Sequence, residues 1–290
     1  MGQLYVNEET VMDKRFDMSK IRNITVSLLT AVMAIIWIVP FLWMLSTSFK
    51  PNTQIFDFPV AWIPKTPILD NFSEVWMGRH PFHIFYFNSL LVTLVTVVGA
   101  VMVSSMAAYG FARLQFPGRD AIFLLFLATM MIPTQVTLIP RFVLFNLMGI
   151  LDSHWALILP GLFNVFCTFL MRQFYLQIPF ALSESAQLDG AGEFRIWYQI
   201  IMPLTKPALV TMVILIFTWT WNDYENPLIF LTSQKLFTIP LGLNNFIDEY
   251  GTQYGPMMAA AVCSLIPMFI IFISGQKYFV AGVASSGIKG

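Results

Sequence analysis

Charge is scarce in this chain. Only 11% of its 290 residues are Asp, Glu, Lys or Arg, against roughly 25% in soluble domains. A surface that poor in charge has to face lipid, and the 57% hydrophobic content places the chain among integral membrane proteins. The 16 basic and 16 acidic residues cancel, so no basic field is present to hold nucleic acid. Cysteine is nearly missing. Cys167 and Cys263 both fall inside apolar runs and read as small core hydrophobes rather than a disulfide or a metal pair. The three histidines, His80, His83 and His154, fall in segments expected to be outer loops, lack HExxH spacing, and read as solvated. No Gly-Lys dipeptide occurs, which removes the phosphate-cradling P-loop. Arg195 stands where a Gly190-x-Gly192 dinucleotide fingerprint would need its third glycine. The chain is expected to hold no catalytic, metal or ATP site, so any uphill transport must draw its energy from another subunit.

What the chain has instead is long apolar runs. Residues 1–23 are polar, with Lys14, Arg15, Lys20 and Arg22 close to the membrane. They read as a cytoplasmic arm and not as a cleavable signal, because the apolar run behind them is too long for a signal peptide. Runs at 24–49, 85–111, 120–139, 155–175, 204–231 and 257–278 predict six spanning helices. Pro40 is expected to kink the first and Pro133 to interrupt the third. Residues 50–84 form a proline-rich extramembrane connection with Trp62 and Trp76 at the interface. A tight turn is expected at Gly118, and outer loops at 140–154 and 232–255. With the N-terminus inside, the inner segments hold eleven Lys and Arg and the outer ones five. That bias predicts a multi-pass protein of the cytoplasmic (inner) membrane with both termini cytoplasmic. The domain reading is a 1–23 arm, the first helix and its connection at 24–84, a five-helix core at 85–278, and a cytoplasmic tail at 279–290.

Two long hydrophobic segments need only a short turn to join them, yet the stretch 179–207 between the fourth and fifth runs is long and mixed in character. Pro179 and Ser183 are helix-start residues, and Glu184 falls in the first turn, where a negative charge meets the positive helix end. Gly190, followed by Gly192, supplies a stop. A second helix is expected from about 193 to 202, with Pro203 and Pro207 opening the next. Two short helices at a tight corner make a cytoplasmic knob, either a docking device or a membrane-surface amphipathic turn.

The same stretch reads Glu184-Ser185-Ala186, three residues, Gly190, nine residues, then Ile200-Ile201-Met202-Pro203. This resembles the EAA loop of binding-protein-dependent ABC importer permeases. Ser185 replaces the second-place Ala and Met202 the Leu. FNSL at 87–90, WND at 221–223 with PLIFL at 227–231, and QKYFVAG at 276–282 with the final IKG resemble the carbohydrate subgroup and its maltose-type smaller permease. The resemblance implies an all-α, polytopic ABC importer type I transmembrane fold with six helices. It implies docking of the loop into an ATPase subunit through Glu184, Ser185, Ala186, Asp189, Gly190, Ala191 and Pro203. It implies as partners a second permease in a heterodimer, two ATP-binding subunits that carry ATP and Mg, an extracytoplasmic solute-binding protein met by the outer loops (Leu241, Gly242 and the 250–255 segment), and the lipid bilayer. On the residues alone, small Ala186 and Gly190 allow close approach to a partner, and Glu184 and Asp189 offer charges to it.

A second site is expected on the fifth helix. Trp219, Asn222, Asp223 and Asn226 fall at i, i+3, i+4 and i+7, so an unbroken helix puts them on one stripe. An aromatic face beside amides and a carboxylate suits a sugar, and Asp223 should face a cavity, a partner helix or the interface rather than lipid. The competing reading is a structural hydrogen-bond cluster. Asn164 in the fourth span and Gln135 in the third are further pathway candidates. A polytopic membrane enzyme, or a channel or secondary carrier without an ATPase, are the alternatives. The first would need His, Asp or Glu convergent at one depth, and the second would run on buried charges, of which there are few.

Overall fold

In the computed structural model the described residues are 8–78, 81–248 and 251–287. The expectations placed on Arg79, His80, Tyr250 and the closing IKG fall outside them. The chain divides into two compact units, one made of residues up to Phe72 with Tyr254–Val262, the other of Ser73–Gln253 with residues from Cys263 onward.

In the first unit, α1 (Glu8–Ser48) runs for 41 residues. The polar arm is therefore helical from Glu8 onward. No glycine or proline lies between Glu8 and Val39, so nothing stops the helix where polarity changes. Pro40 sits inside it without ending it. None of its apolar window is buried, as befits a helix apolar on all sides that faces lipid or another chain. Beyond it the proline-rich stretch folds back through polar contacts. Asn71 Nδ2 donates to the carbonyls of Ser48 (2.9 Å) and Lys50 (2.8 Å), and Ser46 Oγ donates to Trp62 O at 2.6 Å. Lys50 is buried with its ammonium 4.5 Å from the Trp43 ring centroid, and that burial lowers its pKa because it penalises the charged form. α2 (Asp70–Met77) follows.

The second unit is built around α3 (Phe82–Arg113). His83 lies in its first turn, exposed, and not in a loop. The buried face of α3 carries Ser89, Thr93, Thr96, Ser104 and Ser105, small side chains that let helices approach closely inside a membrane. After Gly118, left-handed at φ +79°, α4 (Arg119–Ala128) begins. A 3₁₀ turn follows, the chain breaks at Pro133, and α5 (Thr134–Leu147) leaves at 99° to the preceding half. The outer loop expected from 140 thus starts later: α5 continues past Pro140, and the left-handed Gly149 (φ +68°) ends it. The fourth span is two helices, α6 (Trp155–Gly161) and α7 (Val165–Gln177). Gly161 permits α6 to lie on α3, since a Cβ there would stand 2.6 Å from Thr96 Cγ2.

Next come α8 (Ala181–Leu188) and α9 (Glu193–Ile196), which passes through a π turn into α10 (Met202–Leu204). α11 (Lys206–Trp221) leaves that run at 85° and is followed, after a break, by α12 (Glu225–Phe230). The segment after α12 is a compact cap of 3₁₀ turns around α13 (Ile239–Gly242), ending in a hairpin of two-residue strands, β1 (Ile247–Asp248) with β2 (Gly251–Thr252). The cap is tied to α3: Asn88 Nδ2 donates to Lys235 O (2.8 Å) and Phe237 O (2.9 Å), and Ile239 N–H donates to Ser89 Oγ at 2.8 Å. His154 Nε2 lies 3.0 Å from Leu236 O, so this histidine serves the cap. α14 (Tyr254–Gly287) closes the chain, so the expected tail from 279 is helical as far as Gly287. The fold is all-α apart from the small hairpin. Among the described residues, four helices are long and apolar enough to cross a membrane, and the count reaches six when each bent pair is one crossing. Cys167 and Cys263 are buried and unpaired.

Candidate functional site

The knob has the expected two-helix form. α8 carries Glu184 in its first turn, and its end is a glycine stop. Gly190 is left-handed at φ +81°, Gly190 N–H donates to Gln187 O at 3.0 Å, and Ala191 N–H donates back to Ala186 O at 2.9 Å. These bonds satisfy carbonyls that a helix end leaves open. Two details differ from expectation. Ser183 does not cap the helix; it is one turn in and buried. Ala186 is also buried, and its small size serves the packing inside the knob. Glu184, Ser185, Asp189 and Gly190 are exposed, Ala191 is half-buried, and Leu188 is 89% exposed at the tip. Pro203 opens α10 and Pro207 opens α11, which takes the second knob helix to Leu204 rather than 202.

The knob is anchored to the C-terminal end of α3 from both flanks. Arg113 Nη2 donates to Ile178 O at 2.7 Å, with its guanidinium carbon 4.5 Å from the Phe180 ring centroid. One turn earlier, Tyr109 OH donates to Glu193 Oε2. The sequence reading missed Tyr109, Arg113 and Glu193. A phenol and a guanidinium four residues apart at the end of an otherwise apolar helix share a face, and that was the available signal.

The pathway candidates are rearranged. The stripe expected on one helix does not exist, because α11 ends at Trp221. Asn222 turns back, its Nδ2 donating to Thr218 O at 2.8 Å, and is not in the cavity wall. Gln135 is exposed and also lies outside that wall. Trp219, Asp223, Asn226 and Asn164 do converge, on a cavity of about 630 Å³ in the second unit. Part of their work is structural. Asp223 Oδ1 accepts Asn226 N–H (3.2 Å) and Oδ2 accepts Asn226 Nδ2 (2.8 Å), starting α12. Asn164 Oδ1 accepts Cys167 N–H at 2.9 Å, starting α7. The wall also contains Arg141 and Thr134 from α5, Glu225 from α12 and Val92 from α3. Arg141 was read as an outer-loop residue, and the stop at Gly149 rather than at Pro140 was the signal that it belongs to a helix. An indole face, two amides, hydroxyls and charges of both signs around one concavity fit a polar, polyhydroxylated cargo, and the volume lies within the ~300–1,000 Å³ of small-molecule sites. Among the described residues no group of three or more His, Cys, Asp or Glu could hold a metal ion.

Comparison with known proteins agrees with the geometry. The chain is 35% identical over 270 residues to the arabinooligosaccharides transport system permease protein AraQ of Bacillus subtilis (strain 168), covering 92% of this chain and 96% of that one. It is 37% identical over 269 residues to the galactooligosaccharides transport system permease protein GanQ of the same organism, covering 91% and 94%. The fold matches a chain of a crystal structure of a bacterial ABC transporter involved in the import of the acidic polysaccharide alginate, with a TM-score of 0.82 at 23% identity, covering 90% of this chain and 98% of that chain. Residues 100–285, which include the glycine-stopped knob, its α3 anchors Tyr109 and Arg113 and most of the cavity wall, match one family model, and the chain belongs to that family, the binding-protein-dependent transport system inner membrane component.

Proposed function

We propose that this chain is the permease subunit of an ATP-driven importer that moves a sugar or oligosaccharide across the cytoplasmic membrane. It pairs with a second permease and with two ATP-binding subunits, which hold ATP and Mg, and it receives cargo from an extracytoplasmic solute-binding protein. Both termini and the knob at 179–207 face the cytoplasm. The named relatives and the sugar-suited cavity wall support the cargo class, and the eleven-to-five bias of Lys and Arg supports the orientation.

The observation that carries this reading is that one helix serves both sites. α3 holds the knob at its inner end through Tyr109 and Arg113, places Val92 in the cavity wall, and holds the outer cap through Asn88 and Ser89. Packed helices move as rigid bodies over small distances, so a push on the knob becomes a displacement of the cavity wall. In this reading Glu184, Ser185, Asp189 and Gly190 meet the ATPase surface, Ala186 and Ala191 shape the knob behind them, and Pro203 sets the return helix.

The test is co-purification. The tagged chain expressed with its neighbouring permease and ATPase genes should bring the ATPase down, and Gly190→Leu should break that association while leaving the chain in the membrane. Full sugar uptake in the absence of any ATPase subunit would favour a secondary carrier instead.

A further inference from the structure

Glu193 is a junction. Its Oε2 accepts the Tyr109 hydroxyl of α3 and its Oε1 accepts Gln187 Nε2 of α8 at 2.7 Å, while Glu193 itself begins α9. One carboxylate therefore ties both knob helices to the helix that lines the cavity. The two sides of the bond differ in setting. Tyr109 is 5% exposed and packs edge-on against Tyr175, with ring centroids 6.4 Å apart, whereas Glu193 is exposed. The tyrosine is fixed in the core and the carboxylate rides on the knob. Beside the bond lies a groove of about 200 Å³ between α3 and α9, walled by Met106, Gly110, Leu114, Phe194 and Trp197. A Cβ added to Gly110 would meet nothing within 4 Å, so α9 has free space next to its anchor. Arg113, one turn further along α3, has a different character. It is 7% exposed, bonded to the backbone of Ile178 and stacked on Phe180, and acts as a fixed pivot on the other flank.

We propose that Tyr109, Glu193 and Gln187 form a latch that keys the position of the knob to α3, so that the ATPase stroke reaches the cavity only while this junction is closed. The proposal rests on the importer reading above. Glu193 is a positioning residue: it touches neither cargo nor nucleotide and acts by aligning α8 and α9 with α3. Tyr109 lies about 25 Å along the helix axis from Val92 at ~1.5 Å rise per residue, so α3 carries the displacement from latch to cavity as a rigid rod.

The test uses the complete importer, both permeases with both ATPase subunits, and a probe that needs no knowledge of the sugar. Thr134→Cys places a thiol in the cavity wall, where its labelling by a charged maleimide is followed with and without MgATP and vanadate, alongside ATP hydrolysis. The native thiols Cys167 and Cys263 are buried. Nucleotide should change the labelling rate in the parent. Tyr109→Phe, which removes one oxygen and keeps the ring, and Glu193→Ala should each shrink that nucleotide-dependent change about tenfold, the scale of one charge-assisted hydrogen bond, with hydrolysis retained. The double variant should be no worse than Glu193→Ala alone, and Glu193→Gln, whose neutral amide still accepts from the tyrosine, should restore part of the response. Hydrolysis and labelling falling in proportion, losses that multiply, or a normal response in Tyr109→Phe would overturn the latch. Absence of any nucleotide response in the parent complex would overturn the importer reading itself.

Discussion

The knob and the cavity are built in opposite ways. The knob is local: 29 consecutive residues at 179–207 make two short helices whose start, stop and corner are dictated by neighbours in sequence. The cavity is global: its wall draws on α3, α5, α6, α11 and α12, and its polar groups come from helices (Thr134, Arg141, Thr220, Glu225, Asn226) and also from turns (Asn164, Asp223, Thr238). A local device tolerates change around it but fails when its one special backbone position fails. A composite site spreads its function over many residues, several of which also hold the fold together.

The sharpest way to break this contrast is at Gly190. Its φ of +81° costs an L-residue about 1–2 kcal/mol, although the space around it is open. Gly190→Val should therefore cut uptake at least tenfold and weaken ATPase association, with the protein still inserted in the membrane, as read by sugar uptake and pull-down on the same membranes. The next test separates the two duties of Asp223. Asp223→Ala removes the acceptors for Asn226 and should lower transport and thermal stability together, by about 1 kcal/mol for a lost cap. Asp223→Asn keeps an acceptor for the Asn226 N–H, so stability should recover while transport stays low if the charge serves the cargo. ATPase association should be unaffected in both.

A smaller effect is expected at Arg141, the one cation in a described cavity wall that also holds Asp223 and Glu225. Arg141→Gln should raise the KM for the sugar by roughly tenfold, the scale of a charged hydrogen bond, and leave hydrolysis per complex unchanged. The smallest concerns the cap. Asp152 accepts Thr232 N–H, Ser233 N–H and the Ser233 hydroxyl, which together hold its pKa down to about 2 from the ordinary 3.8. A depressed carboxylate adds stability that is fully present above its unfolded value and fades as pH falls through the folded one. Asp152→Asn should therefore speed amide exchange at Thr232 and Ser233 at neutral pH, and the difference from the parent should shrink as pH falls through about 2.

Legibility followed the same divide. Gly190, Glu184 and the two-helix corner could be read from sequence because helix stops and first-turn charges act over three or four residues. The inward turn of Ala186 could not, since facing depends on what packs behind the helix. The pathway stripe failed for a physical reason. Its i, i+3, i+4, i+7 logic assumes an unbroken helix, whereas Asn222 and Asp223 favour turns and caps and Pro227 favours a first turn, so the chain breaks and restarts at Glu225. Those signals were in the sequence, masked by the apolar residues on either side. Arg141 falls in the loop expected at 140–154, although its helix runs on past Pro140 to Leu147. The Tyr109–Glu193 junction joins residues 84 positions apart, and no local pattern encodes it.

The central claim is that the knob is a cytoplasmic part gripped by an ATPase. Ser185 is exposed on α8, and Ser185→Cys can be labelled with a membrane-impermeant maleimide in vesicles of defined sidedness. The account predicts labelling only where the cytoplasmic face is open to the reagent, and protection when the ATPase subunits are bound. Labelling from the outer face, or labelling indifferent to the ATPase, would contradict it.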